Sequence, residues 1–174
     1  MHSAIDATLS AMNVRTLRTG EWPIWRELRL DALSDSPNSF RTLLEDDTER
    51  SAESWADMVD STVEHPRGGL WIAEIEHEPV GMLFARTDAD DSVVEIGAMW
   101  VRPTSRDKGV GTALLSAAIE WGGSRGALHA ELWVTETNTV AESLYERNGF
   151  RPTSDTQSLR PGSSLTVRKM RAAI

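Results

Sequence analysis

The chain of 174 residues contains no cysteine. This absence excludes a disulfide framework, a zinc site with cysteine ligands and an acyl-enzyme carried on a thiol. The sequence also lacks an apolar run of about 18 residues, the length that a membrane-spanning helix needs, so we expect no membrane partner. Its first residues, MHSAIDATLSAMNV, have neither the basic start nor the apolar stretch of a secretory signal. We therefore expect a cytoplasmic protein.

Basic residues are in the minority, with 18 Lys and Arg against 27 Asp and Glu, for a net charge of −9. A polyanion would be repelled, so nucleic acid is not expected as a partner. A cationic substrate would be attracted, although such a charge also serves solubility. The length suits one domain. We expect residues 13–174 to form it, with 1–12 as a flexible extension or with Met12 as the true start.

Apolar periodicity predicts an alternation of strands and helices. The predicted elements are, in chain order, strand 14–17, helix 21–33, helix 52–61, strands 70–77, 80–86 and 92–101, helix 110–123, strand 127–134, helix 139–148 and strand 164–170. The order is therefore β-α-α-β-β-β-α-β-α-β. It predicts an α/β fold with a mixed central sheet, mostly antiparallel in its first half, and helices on both faces. The two strands that flank helix 110–123 should be parallel.

Local signals set several boundaries. A turn is predicted at Glu78-Pro79 between the second and third strands. The pair Gly122-Gly123 is expected to end the helix that begins at Val110. Thr139 with Glu142 predicts a capping box for the next helix, and Gly149 predicts its end.

The stretch RDKGVGTALL, residues 106–115, is typical of a phosphate-binding loop. A helix N-terminus concentrates unpaired N–H groups, and the glycines at 109 and 111 let a backbone approach a ligand closely. The spacing excludes the G-x-x-x-x-G-K-[ST] loop of nucleotide triphosphatases. A dinucleotide fingerprint fits poorly, because Leu114 takes the place of its third glycine and Glu131 lies in mid-strand. The pattern R-x-x-G-x-G remains, which by itself is weak.

Two longer stretches give this loop a context. EIGAMWVRPTSRDKGVGTALL (95–115) and WVTETNTVAESLYERNGF (133–150) resemble the GNAT superfamily of acyl-CoA-dependent N-acetyltransferases, in which an asparagine follows the fifth strand and a tyrosine lies on the next helix. The predicted strand order is also that of the family. The resemblance covers residues 92–150 by motif and 13–91 by the order of elements only.

The resemblance implies acetyl-CoA as cosubstrate and no metal. In the family the loop donates backbone N–H groups to the pyrophosphate, the preceding strand pairs with the pantetheine arm, and the asparagine contacts the cofactor near that arm. The residues to which it assigns cofactor contacts are Met99, Trp100, Val101, Arg106, Asp107, Lys108, Gly109, Val110, Gly111, Thr112 and Asn138. Most of these contacts are made by the main chain, so the shape of the loop matters more than its residue types. Asn138 also has a simpler interpretation, as a residue at the start of a helix.

The resemblance also implies two catalytic residues. Because the chain has no cysteine to carry an acyl group, direct transfer in a ternary complex is the economical mechanism. Tyr145, the only tyrosine, matches the residue that protonates the leaving thiolate. Glu95 matches the glutamate that serves as base in the histone-type members, and the acceptor amine needs such a base because its pKa lies near 10. The alternatives are a packing role for Tyr145 and a structural or substrate-orienting role for Glu95.

The acceptor is left open between a small-molecule amine, which we favour, and a protein N-terminus or lysine. A non-catalytic acyl-CoA-binding module is the third possibility. Segments 34–64 and 151–163, which should border the acceptor, carry no recognisable motif. Trp22, Trp25 and Trp55 lie on or near the elements expected to form the acceptor pocket. We expect a monomer or a homodimer.

Overall fold

The computed structural model of the chain describes residues 11–174. Ten of the twelve residues predicted as an extension lie outside this range, and Met12 belongs to the first strand. The elements are β1 (Met12–Thr16), α1 (Trp22–Asp35), α2 (Leu44–Thr48), α3 (Ala52–Glu64), β2 (Gly68–Ile75), β3 (Glu78–Thr87), β4 (Val93–Val101), α4 (Val110–Ser124), β5 (His129–Thr135), α5 (Thr139–Arg147), β6 (Arg151–Ser158) and β7 (Thr166–Ala173). This is the predicted order with one short helix and one strand added.

The seven strands form one sheet in the order β1-β2-β3-β4-β5-β7-β6. All neighbours are antiparallel except β4 and β5, which confirms the predicted parallel pair. That pair is short, running from Val93 opposite His129 to Ile96 opposite Leu132. Within the described range, the rest of β4 pairs only with β3 and the rest of β5 only with β7. The two central strands therefore diverge and leave a gap in the middle of the sheet.

Helices cover both faces of the sheet, as the sequence predicts. Along β2 the side chains alternate between two cores: Leu70 and Ile72 pack with α1 and α3, whereas Trp71 and Ala73 pack with α4. A strand that is covered on both faces reads as a continuous apolar run, as GLWIA does. The face of α1 that carries Trp25, Leu28 and Ala32 is buried against the sheet.

The turn between β2 and β3 lies at Glu76-His77, two residues earlier than the sequence indicated. Both residues have positive φ, 53° and 68°, as a two-residue hairpin turn of type I′ requires. Pro79 lies inside β3, opposite Glu74. The prediction placed too much weight on proline as a turn residue.

The end of α4 and the cap of α5 differ from their predicted positions. Helix α4 runs through Gly122 and ends before Gly126, whose φ is +98°. A Cβ at Gly122 would lie 2.9 Å from Val94, so this glycine serves the close packing of α4 on β4. Asn138, not Thr139, caps α5, because its side chain accepts a hydrogen bond from the Ala141 N–H. Gly149 follows the helix with φ +91°, as predicted.

Candidate active site

A bulge marks the point where β4 leaves β5. Between the pairs Phe84–Gly97 and Met82–Trp100, β3 contributes one residue and β4 contributes two, Ala98 and Met99. Ala98 has φ +50°, which is rare for a residue with a side chain. The extra residue bends β4 away from the ladder and leaves backbone groups unpaired beside the gap. The predicted cofactor strand, Met99 to Val101, therefore begins at the bulge.

The loop before α4 has the geometry of an anion site. Gly109 adopts φ +80°, Asp107 adopts φ +60°, and a Cβ at Gly109 would meet no atom within 4 Å. The helix begins at Val110, and the N–H groups of its first turn have no acceptor within the helix. Thr112 and Lys108 are exposed beside them. The open backbone fits the predicted pyrophosphate contacts.

The second glycine of the loop, Gly111, is required by packing. A Cβ at Gly111 would lie 2.9 Å from Leu144 Cδ2 and 2.9 Å from Met99 Cε. Gly111 therefore lets α4 pack tightly against α5 and the bulge. The sequence predicted that a ligand would approach the backbone closely at this glycine. In the described residues the close neighbours are instead the side chains of Leu144 and Met99.

Arg106 is held by the protein itself. Its Nε donates to the carbonyl of Val101 at 3.0 Å, and its Nη2 forms an ion pair with Asp35 at 2.5 Å. Asp35 also accepts a hydrogen bond from the indole N–H of Trp100 at 3.0 Å. The hydrogen bonds from Trp100, Ser36 and Arg106 lower the pKa of Asp35 to about 2. The side chains of Arg106 and Trp100 thus anchor the loop and β4 to the end of α1.

Asn138 lies after β5, on the other side of the gap. Its Oδ1 caps α5, and its Nδ2 donates to Ser39 Oγ at 3.2 Å. The neighbouring Thr135 hydroxyl donates to the carbonyl of Asn38 at 2.7 Å. Asn138 therefore combines the helix-start role with a contact to the turn at 37–39.

Tyr145 lies on α5, in the core on the α4 side of the sheet. It is 8 % exposed, and its ring meets Phe150 edge to face at 6.0 Å between centroids. Burial raises the pKa of Tyr145 to about 12. Within residues 11–174 no group accepts a hydrogen bond from its hydroxyl. Tyr145 thus carries a phenol that stays protonated at neutral pH and has a free donor.

Two adjoining cavities of about 420 and 780 Å³ share Thr62, Phe84, Glu95 and Trp133 in their walls. The smaller cavity lies among α1, α3 and the diverging strands, and the predicted Trp25 and Trp55 line it, whereas Trp22 does not. Neither cavity is lined by Tyr145, which belongs to the opposite core.

Glu95 faces the cavities as an ion pair. Its side chain is 44 % exposed and accepts from Arg86, at 2.6 Å from Nη2 and 2.8 Å from Nε. Arg86 lies opposite Glu95 on β3.

The wall of the smaller cavity contains a charged cluster that the sequence analysis missed. Asp47 is 3 % exposed and accepts from Arg29 Nε at 3.1 Å and from Arg50 Nη2 at 3.2 Å. Burial lowers the pKa of Arg29, against the opposing effect of Asp47. The three residues come from α1, α2 and the segment before α3, so their spacing along the chain gave no signal.

Two kinds of site are not found in the described part of the chain. Residues 11–174 contain no group of three or more His, Asp or Glu side chains placed to hold a metal ion. No helix in this range has the length and apolarity to cross a membrane.

Comparison with known proteins identifies the family to which this gapped and bulged sheet with its glycine-started helix belongs. Residues 22–150 match the model of the acetyltransferase (GNAT) family. The chain belongs to this family, which confirms the resemblance found in the sequence.

Individual relatives match more loosely. The mycothiol acetyltransferase of Thermobispora bispora is 31 % identical over 145 residues, which are 80 % of this chain and 46 % of that protein. An uncharacterized N-acetyltransferase of Methanocaldococcus jannaschii is 37 % identical over 89 residues, 47 % of this chain and 38 % of that protein. The chain thus spans less than half the length of these curated relatives.

Solved structures share the fold. The PaiA N-acetyltransferase of Thermoplasma acidophilum, solved in complex with coenzyme A, superposes with a TM-score of 0.74 over 94 % of this chain and 99 % of that one, at 18 % identity. At this identity the match supports the fold alone, and it confirms the predicted mixed sheet with helices on both faces.

Proposed function

We propose that the chain is an acetyl-CoA-dependent N-acetyltransferase that moves an acetyl group directly to the primary amine of a small molecule. The gap between β4 and β5 is the observation that carries this proposal. The face with α4, α5 and Tyr145 and the face with the two cavities lie on opposite sides of the sheet that contains this gap. A thioester lying in the gap would meet an acceptor amine from the opposite face, so no covalent enzyme intermediate is needed.

The residues present fit acetyl-CoA. The backbone N–H groups of the loop from Arg106 to Thr112, which is open at Gly109, would receive the pyrophosphate at the positive end of α4. At Met99, Trp100 and Val101 the edge of β4 that faces β5 has no strand partner, and it would receive the pantetheine amides. Asn138 would border the same arm from the β5 side. The cosubstrate supplies an acetyl group activated as a thioester, and its thiol leaves.

The remaining chemistry falls to three parts of the chain. Backbone N–H groups at the bulge near Met99 are the donors available to the acetyl oxygen. The free hydroxyl of Tyr145 donates a hydrogen bond to the departing thiolate. Glu95, which forms an ion pair with Arg86, attracts the ammonium of the acceptor and takes its proton, directly or through a water molecule.

The test is an acceptor screen with acetyl-CoA, in which free thiol release is followed spectroscopically. Turnover with a small primary amine is expected, and coenzyme A should raise the melting temperature at concentrations where NAD and ATP do not. Equal shifts for all three ligands would indicate generic anion binding. A coenzyme A shift without turnover on any amine would favour the non-catalytic acyl-CoA-binding module, and turnover on peptides alone would favour the protein acetyltransferase.

A further inference from the structure

We infer that the cluster of Arg29, Asp47 and Arg50 is a subsite for one carboxylate, so that the acceptor is an amino acid or a similar zwitterion. This inference rests on the proposed function and names the class of its substrate. The cluster lies in the wall of the 420 Å³ cavity that Glu95 also lines.

The charges of the cluster do not balance. Two guanidinium groups share one carboxylate, so one positive charge is left in a protein whose net charge is −9. Glu95, the other carboxylate of the cavity, is paired with Arg86. The side chains of Arg29 and Arg50 are 14 % and 33 % exposed, so solvent reaches the cluster only in part, and one further monoanion would balance its charge.

Hydrogen-bond donors in the cluster are also left over. Arg50 Nε and the indole N–H of Trp55 are buried without an acceptor in the described part of the chain. The Arg50 guanidinium lies over the Trp55 ring, 5.2 Å from its centroid, so the two residues that carry these donors are in contact. Arg29 uses only its Nε on Asp47, which leaves its terminal nitrogens for a ligand. Buried donors of this kind normally have partners, and carboxylate oxygens are the strongest acceptors for them.

The rest of the cavity suits the remainder of an amino acid. Glu95 and the backbone at Ala98 stand where the amine must react, and Trp25, Phe40 and Leu159 give apolar walls for a side chain. In a polypeptide, the carboxyl group of the residue that carries the amine is tied up in a peptide bond. A carboxylate subsite therefore favours a free amino acid over a protein N-terminus.

The test compares free acids with their carboxamides. Acetylation of L-leucine, L-methionine, L-phenylalanine and L-glutamine is measured against the four amides at saturating acetyl-CoA, and the affinity of each pair for the coenzyme A-bound enzyme is measured by calorimetry. We expect kcat/KM for at least one acid to exceed that of its amide tenfold or more. Arg50→Gln should remove most of this preference by lowering kcat/KM of the acid and leaving that of the amide within about twofold.

Two further variants serve as controls for the comparison of acids with amides. Arg26→Gln, on the same helix as Arg29 but outside the cavity, should keep the preference. Arg50→Lys keeps the charge and should retain part of it, and a coenzyme A-induced rise in melting temperature shows that each variant is folded.

Each outcome is decisive. If neither acids nor amides react and coenzyme A does not bind, the proposed function fails. If amides react or bind as well as their acids, or if Arg50→Gln affects both alike, the carboxylate subsite is refuted while acyl transfer stands. Acids that bind more tightly than amides without turnover would still support the subsite. A preference for phosphoethanolamine over every acid would overturn the assignment to a carboxylate.

Discussion

Replacing Tyr145 with phenylalanine separates catalysis from packing. The ring and its edge-to-face contact with Phe150 are kept, and only the hydroxyl is removed. Because that hydroxyl donates to no group in the described residues, its loss forfeits no internal hydrogen bond, which would be worth about 1 kcal/mol. The melting temperature should therefore change by no more than a few degrees.

The expected loss of activity is much larger. A tyrosine whose pKa is raised to about 12 stays protonated through the whole neutral range, so its hydroxyl can hydrogen-bond to the departing thiolate at any assay pH. Because the pKa of the thiol is near 8.5, complete proton transfer from this tyrosine is uphill, and the charge-assisted hydrogen bond supplies the stabilisation. General acid catalysis contributes on the order of 10² to 10⁴ in rate. We expect kcat of Tyr145→Phe to fall at least tenfold in the thiol-release assay at saturating acetyl-CoA, with the affinity for coenzyme A within about twofold.

The same variant has a thermodynamic signature in alkali. A buried tyrosine with a raised pKa contributes stability that is complete below the unfolded value of 10 and is lost as the pH rises toward 12. Two pKa units correspond to about 3 kcal/mol, and Tyr145→Phe should lack this component of the alkaline loss. A Phe variant with full turnover would leave Tyr145 as a packing residue and would refute its role as acid.

Three further substitutions test the loop, the base and the anchor. Gly109→Leu should weaken coenzyme A binding at least tenfold, whereas Gly162→Leu, with a similar positive φ and equally open surroundings, should cost stability alone; equal affinities would reject the loop assignment. Glu95→Gln should lower kcat most near pH 7 and less near pH 9, where free amine is abundant, and an unchanged pH–rate profile would exclude Glu95 as the base. Glu136→Gln, which also removes a carboxylate from an ion pair, is the control. The lowered pKa of Asp35 gives the wild type stability that is present above about pH 4 and is lost as the pH falls toward 2, with an upper limit of about 2 kcal/mol. Asp35→Asn should lack this contribution, and parallel acid denaturation curves for the two proteins would contradict it.

The open loop before α4 could be predicted from the sequence because its conformation depends on the main chain. A loop that must open its N–H groups requires glycine at position 109, and the helix that follows shows its period in VGTALLSAA. The bulge at Ala98 could not be predicted, because no residue there signals a positive φ. It follows from the competition between pairing with β3 and divergence from β5.

Strand β6 was missed for a different reason. Its sequence, RPTSDTQS, has no alternation of apolar residues, because it is an edge strand with almost every side chain in solvent. Helix α2 was missed because LEDDT is too short to show a helical period. Both elements are stabilised by tertiary contacts: Asp47 joins α2 to Arg29, and Thr153 of β6 donates to the carbonyl of Lys169.

The acceptor side is difficult to infer from sequence for a related physical reason. Its specificity depends on side chains that three separate segments bring together, so no spacing along the chain reports that Arg29 and Arg50 share Asp47. The side chains of Arg29 and Arg50 are partly exposed, and a single arginine on Asp47 would balance its charge for stability alone. The presence of this pair of arginines beside two unsatisfied donors is better explained by a ligand than by folding. The same reasoning predicts that Asp47→Asn, which raises the local charge, tightens the binding of a free amino acid even as it destabilises the protein; weaker binding would show that Asp47 and its arginines serve only to hold α2 in place.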